Sequence, residues 1–407
     1  MRALEGIKVV EFGDGVAVGY CGALLRSCGS SVIKIESPKN GDSVRHLPPF
    51  AEGICSPEAS GFHTFLNAGK SSVAIDLEKT GGATLANQLC LDADVVLEAL
   101  GPDTANKIGV EYKVLKAESP SLVMVSLSWF GADGARRNWV GNDAIVQALA
   151  GFIYPIGEKE GPPIIPGGYQ AQITGGLTAF VATMTAMVGV LTHNEGVLID
   201  QSILEAQATY SEGAGVRYAY DGMPSVRKGI NKFQPTYPQT IYPTADGWIG
   251  VNALTPPQWR ACCELLSATS LCDDPRFLTS ETRNKYAEEL DACLIPLFRK
   301  RAAVEWFHEA QAKRVPFALV PTMEELDSLN HFEARKVMAE YNHSNLGKFS
   351  AAAIPWKFSA TPLQNGGTAP SLGQHTRGVL TEVLGLSATE ISELVSSGIV
   401  SMQEEVR

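Results

Sequence analysis

Short apolar runs alternate with helical patterns over the first 130 residues, and this constrains the chain more than any other feature. Apolar runs at Ile7–Phe12, Val32–Glu36, Ser72–Ile75, Val95–Glu98 and Leu122–Leu127 are separated by helix-like stretches such as Gly22–Cys28 and Thr84–Leu91. Strands buried on both faces read as continuous apolar runs, and strands alternating with helices build a parallel sheet through right-handed crossovers. The expected fold class is therefore α/β with a doubly wound sheet. At 407 residues the chain exceeds what one hydrophobic core usually serves, so a second domain is expected. It is placed after Gly222, where Pro224, Pro235, Pro238 and Pro243 mark linkers before a strand at Gly247–Asn252. Helical patterns at Pro257–Leu266, Asn284–Lys300 and Val304–Lys313 continue it to about Val320, and Ala369–Gln403 reads as a return to the first domain. The division is thus 1–222, the first part of a large domain; 223–320, a smaller α/β domain; and 321–407, the return.

Composition removes several function classes. With 33 basic against 44 acidic residues, a net charge of −11 and no Lys/Arg-rich run, no nucleic-acid partner is expected. Eight cysteines (Cys21, Cys28, Cys55, Cys90, Cys262, Cys263, Cys272 and Cys293) lack CxxC spacing, and seven histidines form no HExxH pair. Buried reduced thiols and no metal are the expectation. The start, MRALEGIKVVEF, lacks the charged and apolar regions of an export signal, so a cytoplasmic protein is expected. From Gly161 to Asn194 there is no Asp, Glu, Lys or Arg, long enough to suggest a membrane span. Its glycines and threonines and its lack of basic flanks favour a helix buried in a large core or an oligomer, with no membrane partner.

Among motifs that carry chemistry, Gly13-Asp14-Gly15-Val16-Ala17-Val18-Gly19, with Glu36 ending the second strand, imitates a dinucleotide fingerprint. The spacing is GxGxxxG, one residue too long, so a tight strand-to-helix turn explains it at least as well as NAD binding. No GxSxG elbow, no GK[ST] phosphate loop and no kinase-like or zinc-deaminase set can be assembled.

A series of dispersed phrases reads together. It runs through Leu4–Glu11, Val32–Glu36, Gly41-Asp42-Ser43-Val44-Arg45, Asn67–Leu77, Ala93–Glu98, Gln147–Gly151, Val197–Ser202 and Ala245–Trp248. Asp274–Phe277, Val315–Phe317 and Leu372–Leu380 complete it. In these phrases, taken in order, the chain resembles the class III CoA-transferase family, which includes formyl-CoA transferase, carnitine CoA-transferase and α-methylacyl-CoA racemase. The resemblance covers nearly the whole length. It implies a Rossmann-like large domain built from both chain ends, a small domain between them, and two subunits interlocked like chain links. CoA or an acyl-CoA enters as substrate, and no separate cofactor is expected. It also implies an aspartate that attacks an acyl-CoA thioester and carries the CoA as an aspartyl thioester.

The chain departs from that pattern in its chemistry. In Pro166–Leu177 the position matching the nucleophilic aspartate is Gln172, and no Asp or Glu lies between Glu160 and Glu195. A carboxamide has no anionic oxygen with which to attack a thioester, so no catalytic residue is expected here. The CoA cradle departs too: the turn after the fourth strand reads Ala99-Leu100-Gly101-Pro102-Asp103, without the family's arginine, and the first turn reads Ala17-Val18-Gly19. Candidate CoA contacts are Val18, Lys34, Arg45, Lys70, Ala99 and Leu100, with Lys39, Arg136 and Arg137 as further cations. Arg45 leads because its Gly-Asp-x-x-Arg phrase is kept, although single Lys and Arg side chains are more often solvated surface groups than ligands. Glu158, Glu160, Asp200 and Glu205 are minor candidates for a substitute carboxylate, and His375 reads as a residue that fixes a helix start.

The leading expectation is a CoA-transferase subunit without its own nucleophile, working with an Asp-bearing homologous partner in a hetero-oligomer. The resemblance points to the non-catalytic member of a pair such as succinyl-CoA:benzylsuccinate CoA-transferase of anaerobic toluene breakdown. A non-catalytic acyl-CoA-binding protein, a homodimeric enzyme using another carboxylate, and a nicotinamide enzyme are the alternatives.

Overall fold

The computed structural model describes residues 1–232, 236–326, 328–343 and 347–402. Pro235, read as a linker mark, and Gln403, the end of the last helical pattern, lie outside the described residues. The chain divides into two compact units. The larger comprises Met1–Ile153, Ile165–Gly222 and Glu333–Arg407; the smaller comprises Tyr154–Ile164 and Met223–Phe332. The smaller unit is therefore longer than the 223–320 read from composition, and it takes in Tyr154–Ile164 from within 1–222.

The larger unit is built on the strands β1 (Lys8–Gly13), β2 (Ser31–Glu36), β3 (Ser71–Ile75), β4 (Val95–Ala99), β5 (Val123–Ser128) and β6 (Leu198–Ser202). They form a parallel sheet in the order β3-β2-β1-β4-β5-β6, with the short strand Val400–Ser401 added antiparallel to β3. The order reverses between β1 and β4, which opens a crevice at the carboxyl ends of those two strands. Helices α1 (Val16–Ser27), α2 (Gly61–Asn67), α3 (Thr80–Leu91), α4 (Pro102–Lys107), α5 (Tyr112–Glu118), α6 (Asp143–Leu149) and α7 (Gln170–His193) fill the connections. A three-stranded sheet of Met338–His343, Gly347–Ala352 and Gly367–Thr368 was not anticipated. The smaller unit packs helices such as Pro256–Leu265, Ala287–Phe298 and Ala303–Ala312 with an antiparallel sheet of Gln239–Pro243, Trp248–Asn252 and Phe317–Leu319.

A set of buried charges interrupts the apolar packing of the parallel sheet. Glu11 of β1 stands in register with Lys34 of β2, both fully buried, and the Lys34 Nζ lies 2.6 Å from Glu11 Oε1 and 2.6 Å from Asp42 Oδ2. Lys70 donates to Glu11 Oε2 at 2.7 Å and to the Gly19 carbonyl at 2.9 Å. Arg45 clamps Glu36 with two bonds of 2.7 and 2.8 Å. Three cations thus meet three carboxylates out of contact with water, and removing one member leaves its partner uncompensated. Gly22 of α1 makes room for this set, because a Cβ there would lie 1.9 Å from Glu11 Oε2.

Helix α7 is not buried all round within the single chain. Its small residues form one packed stripe: a Cβ on Gly176 would lie 2.4 Å from the Ala17 carbonyl oxygen of α1, and one on Gly175 would lie 2.9 Å from Ile203. By length and composition the helix can cross a membrane, but this backbone-close contact makes it a scaffold for α1. Val181, Val188 and Leu191 face outward, 55%, 60% and 88% exposed. The cysteine expectation is likewise corrected: Cys55 and Cys293 are exposed, and the other six are buried.

Beside the charge set, His63 of α2 is buried; its Nδ1 accepts from Asn67 at 2.9 Å and its Nε2 lies 3.4 Å from the Pro370 carbonyl. Burial, then the nearby Arg45 cation, pushes its pKa down to about 3. The unfolded chain therefore binds this proton first, so the stabilisation is complete above pH 6.5 and is lost as pH falls toward 3. Denaturant unfolding at a series of pH values is expected to show a slope approaching about 1.4 kcal/mol per pH unit between pH 6 and 5. His63→Gln is expected to flatten that window.

Candidate functional site

The crevice at the ends of β1 and β4 holds two cavities. One, of about 300 Å³, is lined by the first and fourth strand ends, by the β5–α6 loop and by Gln172. The other, of about 410 Å³, lies over the ends of β1, β2 and β3, and its lining includes Glu36, Lys39 and Asp76. Asp14 and Leu100 line both. Gly13, with φ of +85°, closes β1 against the Ala99 backbone; any Cβ would lie 2.7 Å from the Ala99 carbonyl carbon. Gly15, with φ of +106°, turns the chain into α1.

Gln172 sits in the first turn of α7, and its amide is fixed at both ends. Oε1 accepts the Val16 N–H at the start of α1 at 3.1 Å. Nε2 donates to Asp143 Oδ2 at 2.8 Å. The other oxygen of Asp143 accepts the backbone N–H groups of Ala171 and Gln172 at 2.8 and 3.2 Å. The N-termini of α1 and α7 favour negative charge here, and the carboxylate that occupies the α7 end is Asp143. Its partners orient the Gln172 amide with oxygen toward α1 and nitrogen toward Asp143. The arrangement can donate and accept hydrogen bonds but offers no nucleophilic oxygen at position 172.

The first turn is locked in series with this. Asp42 Oδ1 accepts from Gly15 N at 3.1 Å and from Val44 N at 2.9 Å, while Oδ2 meets Lys34. The Gly-Asp-x-x-Arg phrase is therefore a clamp. Burial opposes ionisation of Glu36, but Arg45 prevails and holds its pKa down at about 2. Lys34, Lys70 and Arg45 are all buried against internal carboxylates, so these expected phosphate contacts present no free cation. Val18 is buried inside α1 and presents no surface either. Ala99 and Leu100 line the first cavity, and Lys39 lines the second. Arg137, in the first cavity, pairs with Asp103 at 2.5 Å, and Arg136 lies over the Trp139 ring.

The remaining candidates are dispersed. Glu158 and Glu160 are exposed residues of the smaller unit. Asp200 accepts the Ala132 N–H, and Glu205 is exposed in the first turn of the helix Ile203–Ala208. His375 Nδ1 accepts from Ser72 N at 3.2 Å beside a helix start. The nicotinamide reading loses its ribose acid, since Glu36 is taken by Arg45 and by the Ser72 hydroxyl. Two site residues went unnoticed in the sequence: Asp14, hidden inside the glycine turn, and Asp143. An Asn142-Asp143 pair one helical turn ahead of the Gln147 phrase is a helix-start signal that pointed to Asp143.

The CoA-transferase family III profile matches residues 4–376. The chain belongs to this family. It is 30% identical over 406 residues to an acyl-CoA transferase of Fusarium pseudograminearum, spanning 98% of this chain and 88% of that one. It is 29% identical over 382 residues to succinate–glutarate CoA-transferase of Agrobacterium fabrum, spanning 93% and 95%. The fold superposes on the crystal structure of a CAIB/BAIF family protein from Brucella suis with a TM-score of 0.84 and 25% identity, covering 94% of this chain and all of that one. This CoA-transferase fold therefore carries an amide-locked position 172.

Replacing Gln172 by Glu sets a carboxylate against Asp143 and removes one charge-assisted hydrogen bond. The variant is expected to lose about 2 kcal/mol of stability at pH 8. The introduced acid has a raised folded pKa, so the deficit relative to the parent is expected to shrink as pH falls toward 4.5. Paired denaturant melts at the two pH values measure this.

Proposed function

We propose that this chain is the non-nucleophilic member of a hetero-oligomeric CoA-transferase that moves CoA from an acyl-CoA to a carboxylic acid, an Asp-bearing homologous subunit supplying the nucleophile. The observation that carries the reading is the Gln172 amide, held between Val16 and Asp143 where an attacking carboxylate would stand. Two further features support it. The outward Val181, Val188 and Leu191 of α7 give the chain an apolar face suited to a subunit interface, in keeping with an interlocked pair. A relative from Chloroflexus aurantiacus is named as the alpha subunit of succinyl-CoA–L-malate CoA-transferase.

Relatives are named for succinyl-CoA with glutarate, D-citramalate or L-malate. Succinyl-CoA is accordingly the proposed donor and a dicarboxylic acid the proposed acceptor, benzylsuccinate being one member of that class. CoA is a substrate in this reading, with no resident cofactor.

A second reading has one specific observation in its favour. Asp14 lines both cavities, and one of its oxygens accepts the Ser43 N–H at 2.9 Å. In a homo-oligomer this carboxylate would be the one placed to attack a thioester.

CoA exchange between succinyl-CoA and dicarboxylic acids, followed by mass spectrometry, separates the two. The chain alone is expected to be slower than its complex with an Asp-bearing homologue by about a thousandfold or more. Gln172→Asp alone is not expected to restore full activity, because the Ala99–Asp103 turn is unchanged. Full activity of the unaltered chain, abolished by Asp14→Asn, would establish the second reading instead.

A further inference from the structure

A third cavity, of about 20 Å³, is lined by Tyr20, Arg26 and Ser27 of α1, by Tyr341 of the strand Met338–His343, and by Gln364 and Gly366 among others. All of these residues belong to the larger unit. Its charge differs from that of the two crevice cavities. Both of those are lined by Asp14, together with Asp103 in one and Asp76 in the other, whereas this one has a cation and no Asp or Glu.

Arg26 is half-buried, and no carboxylate acts on it among the described residues. One of its five N–H groups donates to the Gln364 carbonyl at 3.1 Å. Gly69 pins the head of the side chain, since a Cβ there would lie 2.0 Å from Arg26 Nη2. Burial, and then the neighbouring Arg2 cation, push the Arg26 pKa down, as befits a positive charge that no acid answers. Carbonyls at the end of α1 are engaged elsewhere: those of Arg26 and Ser27 accept the N–H groups of Gly29 and Gln364 at 2.9 and 2.8 Å. Taking a cation out of water costs free energy unless a counter-charge meets it.

The size of the cavity selects the counter-charge. About 20 Å³ holds one water-sized sphere, which is too little for phosphate, sulfate or a carboxylic acid. Water fits but brings no charge. A monoatomic anion fits, answers the guanidinium, and can accept from the Tyr20 and Ser27 hydroxyls on the same wall.

We infer that this cavity binds a single halide ion, chloride in ordinary salt solutions, on the Arg26 guanidinium and the Tyr20 hydroxyl. The ion would join α1 to residues 354–366, whose Gln364 is already tied to the last turn of α1. This site lies outside the crevice and does not depend on the CoA-transferase reading. No covalent bond changes when it fills.

Denaturant unfolding of the purified full-length chain in sodium chloride and in sodium gluconate, at equal ionic strength, tests it without turnover. At about 200 mM chloride the unfolding equilibrium constant is expected to be about tenfold lower than in gluconate, as a dissociation constant of about 20 mM gives. Arg26→Gln is expected to abolish this difference, whatever its own baseline stability. Tyr20→Phe keeps the ring, and is expected to weaken chloride about tenfold. A general effect of salt type acts on the parent and both variants alike. Crystals grown in sodium bromide are expected to show one anomalous scatterer beside the Arg26 guanidinium. Equal stability of the parent in the two salts, a chloride effect of the same size in either variant, or water alone in the cavity of the bromide crystals overturns the inference. Absence of CoA exchange would sink the proposed function and leave this site untouched.

Discussion

The pairing of Glu11 with Lys34 across two buried parallel strands is the interaction on which the rest of the site depends. A lysine and a glutamate in the middle of an apolar sheet are tolerated only when each charge is fully met. Glu11 answers Lys34 and Lys70, and Lys34 answers Asp42. Through its other oxygen Asp42 fixes Gly15, and the next residue, Val16, donates to Gln172. A continuous path of hydrogen bonds and ion pairs thus runs from the centre of the sheet to the amide at the start of α7. The glycines along that path are required by space: Gly22 admits Glu11, and Gly13 admits the Ala99 backbone.

This explains what the sequence disclosed and what it hid. The parallel sheet was legible because strands buried on both faces, such as Val9-Val10 and Val32-Ile33, read as apolar runs. The ion-pair partners of Glu11, namely Lys34 and Lys70, lie 23 and 59 residues away in the chain, so the lysines looked like isolated cations free for phosphate. Arg45 misled in the same way, since its clamp on Glu36 closes only when the turn Ser43–His46 folds against β2. Helix α1 begins at Val16, earlier than the Gly22 read from sequence, because Gly19 and Gly22 weakened its helical pattern while serving the charge set. Asn284–Lys300 read as one helix, but the chain breaks at Tyr286 into Ser280–Lys285 and Ala287–Phe298. The strands Met338–His343 and Gly347–Ala352 went unread because their residues are largely half-buried or exposed and give no apolar run.

At the site, the departure at Gln172 was visible from the order of motifs alone, whereas its consequence was not. Folding shows that the anion favoured by the α7 N-terminus is present as Asp143, contributed from α6. The amide is the uncharged partner that lets this carboxylate sit there. A carboxylate at position 172 would have to share the place with Asp143, so the amide of Gln172 and the carboxylate of Asp143 form one electrostatic arrangement. In the proposed function the nucleophilic carboxylate is accordingly sought outside position 172.

The most direct test of this account is covalent trapping. The chain is incubated with succinyl-CoA, treated with hydroxylamine to convert any acyl or CoA ester of a carboxylate to a hydroxamate, and mapped by peptide mass spectrometry. The account predicts an unmodified peptide around Gln172 in this chain, with a hydroxamate on the Asp-bearing homologue when the two are combined. A hydroxamate on any carboxylate of this chain, formed with the chain alone, would contradict it.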